Sequence, residues 1–485
     1  MRILGINCLN HDAAVSVVED GEILFAAHSE RYSRKKNDMH LNDAIMEKAL
    51  SYGAPDKIAY YERPLVKKTR QAFAGQWSEV FNLENLPSRY LKRWIGNSKI
   101  QYIDHHLSHA AAGYYTSPYY DAAIVVIDGI GEWDVLTIWH GQGDKIEKVF
   151  SIKYPNSLGL FYSAMTQKLK LKPCEEEYIL MGMSAWGKPL HTEKLYNDFF
   201  DNNKVLSLKY NLHKGVGNYG SKWEDFDVAA STQEVTENIL KNIFLKAKEI
   251  LPNCKNLVYM GGVALNCVAN PKVLSSLYDN IWIMPNPGDS GSSLGAAAAA
   301  YGKHVNWRGP FLGTNIDKKY PVEEVLSHLL SNKMVGVANG KAEFGPRALG
   351  NRSLLADPRG PEIKDKVNEI KRRQKFRPFA PSIMEEFAHD YFEMPVSKIP
   401  YMQYIAKCKY PEKFPAICHV DNTSRVQTVS KEDNEGFYNL LKTFYNKTGC
   451  PMLLNTSLNI KGQPIVDNIE DALQFEKHYN LKVVV

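Results

Sequence analysis

One pattern constrains the fold of this chain more than any other, and it occurs twice. Arg2 to Asn7 reads as a buried strand and Leu9 to Asp12 as a polar turn. Ala13 to Val18 reads as a second strand, Asp20-Gly21 as a two-residue hairpin turn, and Glu22 to Ala27 as a third strand. The same plan returns in AAIVVIDGIGEWDVLTIWHGQGDKIEKVFS. Residues 122–127 form a strand that ends at Asp128, GIGE turns the chain, and 134–140 runs back. A strand plan repeated within one chain predicts two related subdomains that face each other.

The acetate kinase, sugar kinase, Hsp70 and actin group is built in this way, with the first hairpin of each half folded around nucleotide phosphates. Two further junctions fit the pattern. LVYMGGVALNC places Gly261 and Gly262 between a strand and a helix start, where bared amides can bind phosphate. IWIMPNPGDSGSSLGAAAAAYG runs from a strand through a loop carrying Asp289 into an alanine-rich helix. The expectation is an α/β chain opening with a duplicated actin-like (ASKHA) domain.

At 485 residues, the length suits two or three domains. A net charge of +5, from 59 basic and 54 acidic residues, is too small to require nucleic acid and does not exclude it. MRILGINC reads as a buried strand rather than a secretory leader, and runs such as AAIVVI are too short to span a bilayer. The seven cysteines form no CxxC pair, which argues against a zinc ribbon and for reduced thiols in a cytoplasmic setting.

DHHLSHAAAGYY, residues 104–115, carries three histidines in five positions. If 107–115 is helical, His105 and His109 lie one turn apart on one face, the spacing of metal-binding helices. His106 points elsewhere, as a supporting or substrate-facing group. With Asp289 from the other half, two imidazoles and a carboxylate would leave positions open for a substrate oxygen. Ligand type alone allows Fe, Mn, Zn or Mg. A non-haem iron oxygenase shares this ligand set, but alternating helices and glycine loops argue against its β-barrel.

The motifs along the chain resemble those of the O-carbamoyltransferases that modify nodulation factors, cephamycins, novobiocin-type antibiotics and tobramycin. They run almost end to end. In the first half they are NHDAAV (10–15), ERYSRKK (30–36), DHHLSHAAAGYYTSP, VIDGIGE (126–132), EYILMGMSAWGKP (177–189), YMGGVALNCVAN and PGDSGSSLGAA. FGPRALGNRSLLADPR (344–359), FRPFAPS (376–382), HVDNTSRVQTV (419–429) and PMLLNTSLNIKGQPIV (451–466) follow. The resemblance implies a Kae1-like carbamoyl-transfer domain over 1–305 and a YrdC-like domain over 306–485, divided near the linker HVNWRGPFLGTN. It further implies that the YrdC-like domain makes carbamoyl adenylate from carbamoyl phosphate and ATP, and that the Kae1-like domain moves the carbamoyl group to an acceptor hydroxyl. The family's metal, usually iron, implies Fe(II), or Mg or Mn, at His105, His109 and Asp289, with Asp128 of DGIGE as a further residue of that site.

Residue chemistry supplies the remaining candidates. Carbamoyl phosphate is a planar dianion that needs cationic forks and amide partners. Arg347 and Arg352 of GPRALGNRS, Arg377, Arg425 and the Asn455-Thr456-Ser457 turn can provide them, with Thr423 beside Arg425. The alternative for any one of these arginines is a structural salt bridge. KDKVNEIKRRQK at 364–375 sets Lys364, Lys366, Lys371, Arg372 and Arg373 at helical spacing, which reads as a solvated helix face. His11 follows the first strand, and an imidazole there can take a proton from an attacking hydroxyl; the alternative is a turn histidine bonded to backbone. Asp12 can orient that ring or bind nucleotide. Lys35, Gly261, Gly262 and Asn266 complete the nucleotide-side candidates.

The acceptor is the least constrained element. The family extends to phage-encoded members that carbamoylate 5-hydroxymethylcytosine in DNA, and the Lys-, Asn-, Ile- and Tyr-rich composition fits an AT-rich genome. A DNA acceptor would need basic and aromatic groups such as Arg31, Tyr32, Arg34, Lys35, Lys36 and the 209–222 stretch. Hydroxymethylated DNA is slightly preferred over a small sugar-bearing metabolite. DMHLNDAI after ERYSRKK departs from the family pattern, and 200–232 carries no family motif. The chain closes on NLKVVV, near the end of the YrdC-like core. Rival functions are an actin-fold kinase, a tRNA threonylcarbamoyl or hydrogenase-maturation enzyme, and a non-enzymatic ATP-dependent scaffold. No membrane partner is expected, and the oligomeric state stays open, with a homodimer among the alternatives.

Overall fold

The computed structural model describes residues 1–201 and 204–485, so Asn202 and Asn203 of the motif-free 200–232 stretch lie outside the described residues. The chain forms two compact units. The first comprises Met1–Ser29 and Asn37–Trp307, the second Glu30–Lys36 and Arg308–Val485. It is a mixed α/β protein with several mixed sheets. Among the described residues no helix is long and apolar enough to cross a membrane.

The first unit contains two five-stranded sheets with one plan. In the first sheet, β1 (Arg2–Asn7), β2 (Ala14–Glu19), β3 (Glu22–His28), β4 (Lys57–Tyr60) and β5 (Ile100–Tyr102) lie in the order β3-β2-β1-β4-β5. In the second, β6 (Asp121–Gly131), β7 (Asp134–Gln142), β8 (Lys145–Lys153), β9 (Asn256–Met260) and β10 (Asn280–Trp282) lie in the order β10-β9-β6-β7-β8. In each, a three-stranded antiparallel meander continues into two parallel strands. The central strands β1 and β6 are buried apolar runs, as strands covered on both faces must be. β8, KIEKVFSIK, has only exposed and half-buried residues and closes an edge with lysines.

Two small-residue helices lie between these sheets. His105–Tyr114 packs on β6, β7 and β9, Ser292–Tyr301 packs on β1, β2 and β4, and the two helices pack on each other. Their alanines and glycines allow this approach: a Cβ on Gly295 would come within 1.8 Å of the Ser108 carbonyl oxygen. The N-terminal end of each helix is therefore held against its counterpart from the other half. The metal-ligand candidates sit at these ends.

The second unit is built on a six-stranded sheet in the order β19-β15-β20-β14-β12-β21. Its elements in chain order are β11 (Phe311–Ile316), β12 (Met334–Ala338), β13 (Gly340–Glu343), β14 (Arg352–Ala356), β15 (Ala380–Met384), β16 (Phe392–Glu393), β17 (Ile405–Cys408), β18 (Thr423–Arg425), β19 (Gln427–Val429), β20 (Met452–Ser457) and β21 (Val483–Val484). β11 pairs with β13, and β16, β17 and β18 make a separate small sheet. Helices Val322–Asn332 and Glu435–Thr448 pack against each other and on the main sheet.

Residues 30–36 are bound into this second unit. Arg31 donates to the Gly345 carbonyl at 3.1 Å, and the Tyr32 hydroxyl meets Thr314 Oγ1 at 2.8 Å. Arg34 donates to the Ile465 carbonyl at 2.8 Å and pairs with Asp471 at 3.2 Å. Lys36 pairs with Glu30 at 2.9 Å. Four of the groups considered for contact with DNA thus have intramolecular partners, whereas Lys35 is exposed.

Candidate metal centre and its surroundings

Helix His105–Tyr114 begins two residues before the predicted start because Asp104 caps it, its Oδ1 accepting from the Leu107 amide at 3.0 Å. The His105 amide donates to Glu132 Oε1 at 3.3 Å. Arg63 ties both acids together, reaching Asp104 Oδ2 at 2.7 Å and Glu132 Oε2 through Nε at 3.0 Å. The helix start is thus fixed from three sides, and His105 and His109 share a face.

Four ligand atoms converge there. His109 Nε2 lies 3.2 Å from His105 Nε2 and 3.2 Å from Asp289 Oδ1. His105 Nε2 lies 3.4 Å from Asp289 Oδ1 and 3.5 Å from Asp128 Oδ2. All four residues are buried, and one atom from each falls within 4.8 Å of every other. His109 Nδ1 faces the Pro287 carbonyl at 3.1 Å; a carbonyl only accepts, so Nδ1 carries the proton and Nε2 presents its lone pair to the cluster. His105 Nδ1 points towards Glu62 Oε2 at 3.8 Å, and Glu62 is paired with Lys67 at 2.8 Å. Two imidazoles and two carboxylates facing one buried point are a donor set that fits a divalent cation, which would displace the proton that Asp289 and Asp128 hold on His105 against its burial.

Electrostatics agree with this donor set. Burial and the neighbouring Asp289 work to raise the Asp128 carboxyl, yet His105 and His109 hold it at about 2. Burial likewise opposes the charge on Asp289, but His11 and His105 keep it ionised, well below the usual carboxylate range. The Gly262 amide donates to Asp128 Oδ1 at 3.1 Å, so one amide of the Gly261-Gly262 junction serves this carboxylate. Gly261 has a φ of 92°, and a Cβ there would meet the Ile127 carbonyl at 2.1 Å.

His11 sits in the β1–β2 turn beside this cluster. Its Nε2 is 3.4 Å from Asp289 Oδ2 and its Nδ1 3.1 Å from Asp12 Oδ2. Asn10 Nδ2 reaches Asp289 Oδ2 at 3.3 Å. Burial opposes the imidazolium, but Asp289 and Asp12 outweigh it and push His11 up to about 10. His106 lies apart from the ligand set. It is fully buried, its Nδ1 meets Thr137 Oγ1 at 2.9 Å, and burial followed by the charge of His105 pushes it down to about 3. It is tied to β7 through Thr137, and its Nε2 is buried with no hydrogen-bond partner.

The other candidates fall into two groups. Asn266 is buried in a reciprocal amide pair with Gln233, at 3.1 and 3.0 Å. In the second unit, Arg352 does not present the free fork expected of it. It is fully buried, and its guanidinium donates to the carbonyls of Asp467, Asn339, Asn351, Thr314 and Gly340. Glu343 Oε1 collects the amides of Leu349, Asn351 and Arg352 at 2.8, 3.0 and 3.2 Å, which shapes the loop carrying Arg347. Asn455 Nδ2 donates to the Ala348 carbonyl at 3.1 Å and to Ser382 Oγ at 2.9 Å, and its Oδ1 is buried with no hydrogen-bond partner. Thr456 and Ser457 are half-buried on β20, and Thr423 and Arg425 lie on β18.

The solvated-face expectation for 364–375 fails at Lys371. The helix Ile363–Ile370 ends before it, and the lysine turns inward to Ser457 Oγ at 3.1 Å and Asn459 Oδ1 at 2.8 Å. Burial, then the charges of Arg373 and Arg377, push its ammonium well below the usual lysine range. Lys371 thus stands beside Ser457 within the field of Arg373 and Arg377. Sequence reading missed Lys371, Glu343, Glu62 and Asn10. Glu62 carried a signal, a charged residue directly after the buried strand β4.

Residues 2–93 and 74–298 match the carbamoyltransferase N-terminus family, and residues 326–485 match the carbamoyltransferase C-terminus family. The chain belongs to the carbamoyltransferase family, and it is a transferase of the carbamoyl group. It is 31% identical to nodulation protein NolNO of Sinorhizobium fredii, over 96% of this chain and 77% of that protein. It is 33% identical to nodulation protein NolO of Bradyrhizobium diazoefficiens over 76% and 75%, and 29% identical to nodulation protein U of Sinorhizobium fredii over 96% and 94%. Among solved structures it is similar to full-length HypF in the phosphate- and nucleotide-bound form, at 13% identity and a TM-score of 0.37, over 62% of this chain and 55% of that one.

Proposed function

We propose that the chain is an ATP-dependent O-carbamoyltransferase working in two half-reactions. In the second unit, water hydrolyses carbamoyl phosphate to carbamate and orthophosphate, and a carbamate oxygen attacks the α-phosphorus of ATP, giving carbamoyl adenylate and releasing pyrophosphate. In the first unit an acceptor hydroxyl attacks the carbamoyl carbon, AMP leaves, and the hydroxyl proton is removed. This reading assigns an actin-like, duplicated Kae1-like domain to 1–305 and a YrdC-like domain to 306–485. The observation that carries it is the convergence of His105, His109, Asp128 and Asp289 with His11 at its rim, in a chain of the carbamoyltransferase family.

His105, His109, Asp128 and Asp289 would hold a divalent metal, Fe(II) first and Mn or Mg as alternatives. When bound, that metal supplies Lewis-acid polarisation of an oxygen on the transferring group. With a cation on Asp289 the charge that keeps His11 protonated is withdrawn, leaving Nε2 to take the acceptor proton while Asp12 orients the ring through Nδ1. Lys371, Arg373, Arg377 and Ser457 bind the phosphate of carbamoyl phosphate, with Arg347 and Arg425 as further cationic forks and Thr423 and Thr456 as hydroxyl partners. Arg352 positions the loop behind them through its five carbonyl contacts. Asn455 offers its unpartnered Oδ1 to the carbamoyl amide. Gly261, Gly262, Asn266 and Lys35 remain candidates for the nucleotide side.

For the acceptor, the internal bonding of Arg31, Tyr32, Arg34 and Lys36 removes much of the surface expected to grip DNA. We place a small hydroxylated, sugar-bearing molecule first and 5-hydroxymethylcytosine DNA second. The test is product analysis with ATP and carbamoyl phosphate. Pyrophosphate, followed by AMP when acceptor is added, supports the adenylate route; ADP supports a kinase and overturns it.

A further inference from the structure

A second cluster of ligand atoms lies at the far end of β6 from Asp128. Asp121 opens β6, His140 stands near the end of β7, and Cys254 lies in the turn between the helix Asp225–Ile250 and β9. Asp121 Oδ1 faces both partners, His140 Nε2 at 2.9 Å and Cys254 Sγ at 3.9 Å. One atom from each residue falls within 4.8 Å of the other two. Ligands bound tetrahedrally to Zn²⁺ at 2.0–2.3 Å stand about 3.3–3.8 Å apart, so the observed spacing needs only small side-chain movements.

The backbone beneath is braced. Asn256 Nδ2 donates to the Asp121 carbonyl at 2.8 Å, and Asn280 Nδ2 donates to Asn256 Oδ1 at 2.9 Å. Lys248 Nζ holds the Cys254 carbonyl at 2.7 Å. The thiol is buried at 4% exposure while the Asp121 side chain is 54% exposed, leaving an open side for water as a fourth ligand.

We propose that Asp121, His140 and Cys254 form a second cation site, of zinc-type chemistry, that pins the starts of β6 and β9 to the end of β7. A carboxylate, a thiolate and a neutral imidazole balance a divalent charge, and thiolate with imidazole selects a borderline-soft ion over Mg²⁺ or Ca²⁺. Without a cation, burial and then the Asp121 carboxylate push the Cys254 thiol up to about 11, with Lys248 opposing. Cation binding therefore displaces one thiol proton to solvent as the metal–sulfur bond forms, with no change of oxidation state. Asp128 lies seven positions along β6 from Asp121, about 23 Å at 3.3 Å per residue, so the two sites bind independently.

Sulfur distinguishes them. The His105–His109–Asp128–Asp289 cluster has no thiol, and with the mutually neighbouring Cys408 and Cys418 both replaced by serine a near-ultraviolet thiolate-to-cobalt charge-transfer band reports the second site. Titrating the full-length, metal-stripped protein with Co²⁺ should raise that band to a plateau by two equivalents, the first site taking the other ion. Cys254→Ser should abolish it. Asp121→Asn, at an exposed position that does not threaten folding, should weaken the Co²⁺ affinity read from the band at least tenfold. No band in the wild-type protein, a band that survives Cys254→Ser, or an unchanged affinity in Asp121→Asn would each overturn the proposal.

Discussion

His109 donates its Nδ1 proton to the carbonyl of Pro287, two residues before Asp289, and so turns its Nε2 lone pair onto that aspartate's carboxylate. One backbone carbonyl thereby fixes both the tautomer of a ligand and the place of its partner. Replacing His109 with alanine removes a ligand without touching the second unit. Measured in a Cys254→Ser background, metal content should fall below one tenth of the parent's, and carbamoyl transfer with it, while pyrophosphate release from ATP and carbamoyl phosphate continues. Elemental analysis beside the two assays checks this, and full metal content in a His105→Ala/His109→Ala double variant would refute the ligand set.

The close approach of the two central helices yields a second expectation. A Cβ at position 295 would overlap the Ser108 carbonyl, so Gly295→Ala must push the helices apart. Overpacking of this kind costs about 1–3 kcal/mol. It also moves Asp289 away from His105 and His109. The variant should melt at a lower temperature and bind metal at least tenfold more weakly, as calorimetry and metal titration would show. Unchanged metal affinity would mean that helix spacing does not set the site.

His11 gives the pH dependence its sign. Asp289 and Asp12 raise its pKa to about 10 in the metal-free protein, so the folded state holds a proton that the unfolded state releases near pH 6.5. The resulting stabilisation is complete below about pH 6.5 and is lost as pH rises towards 10. Melting temperatures of metal-free protein should therefore fall more steeply over that window than those of His11→Gln. Metal bound at Asp289 competes for the same carboxylate and should shrink the difference. Parallel pH profiles for both proteins would contradict the pairing.

Arg352 and Lys371 separate structure from chemistry in the second unit. Arg352→Ala removes five carbonyl contacts, three of them buried, and a buried carbonyl left unsatisfied costs about 1–3 kcal/mol. Its dominant effect should be a lowered melting temperature, with pyrophosphate release lost as the loop carrying Arg347 disorders. Lys371→Met removes a buried ammonium that already sits against two arginines. Melting should change little, and carbamoyl-phosphate-dependent pyrophosphate release should drop at least a hundredfold. Equal melting temperatures for the two variants would contradict the division of roles.

Much of the first unit was legible because its signals are local. The predicted strands at 2–7, 22–27 and 134–140 start where β1, β3 and β7 start, since buried apolar runs and an Asp-Gly turn leave little freedom. The i, i+4 histidines were legible because helical spacing is a property of the chain itself. Which face of a short charged helix is buried is not. Lys371 follows Ile363 and Val367 at i, i+4, i+8 and keeps a helical backbone (φ −74°), so it lies on the buried face although its basic neighbours read as solvated. Arg352 looked like a fork beside glycines; only the fold shows five carbonyls closing round it. The return of residues 30–36 to the second unit is a long-range event that no local pattern encodes.

The central claim is that one chain runs two half-reactions at separate sets of residues. Wild type, His11→Ala and Lys371→Met should be compared side by side for carbamoyl-phosphate-dependent pyrophosphate release and for carbamoylation of an added hydroxyl acceptor. The account predicts that His11→Ala keeps pyrophosphate release near the wild-type rate and loses transfer, whereas Lys371→Met loses both but regains transfer when supplied with carbamoyl adenylate. Equal loss of both half-reactions in each variant, with no rescue by the adenylate, would contradict it.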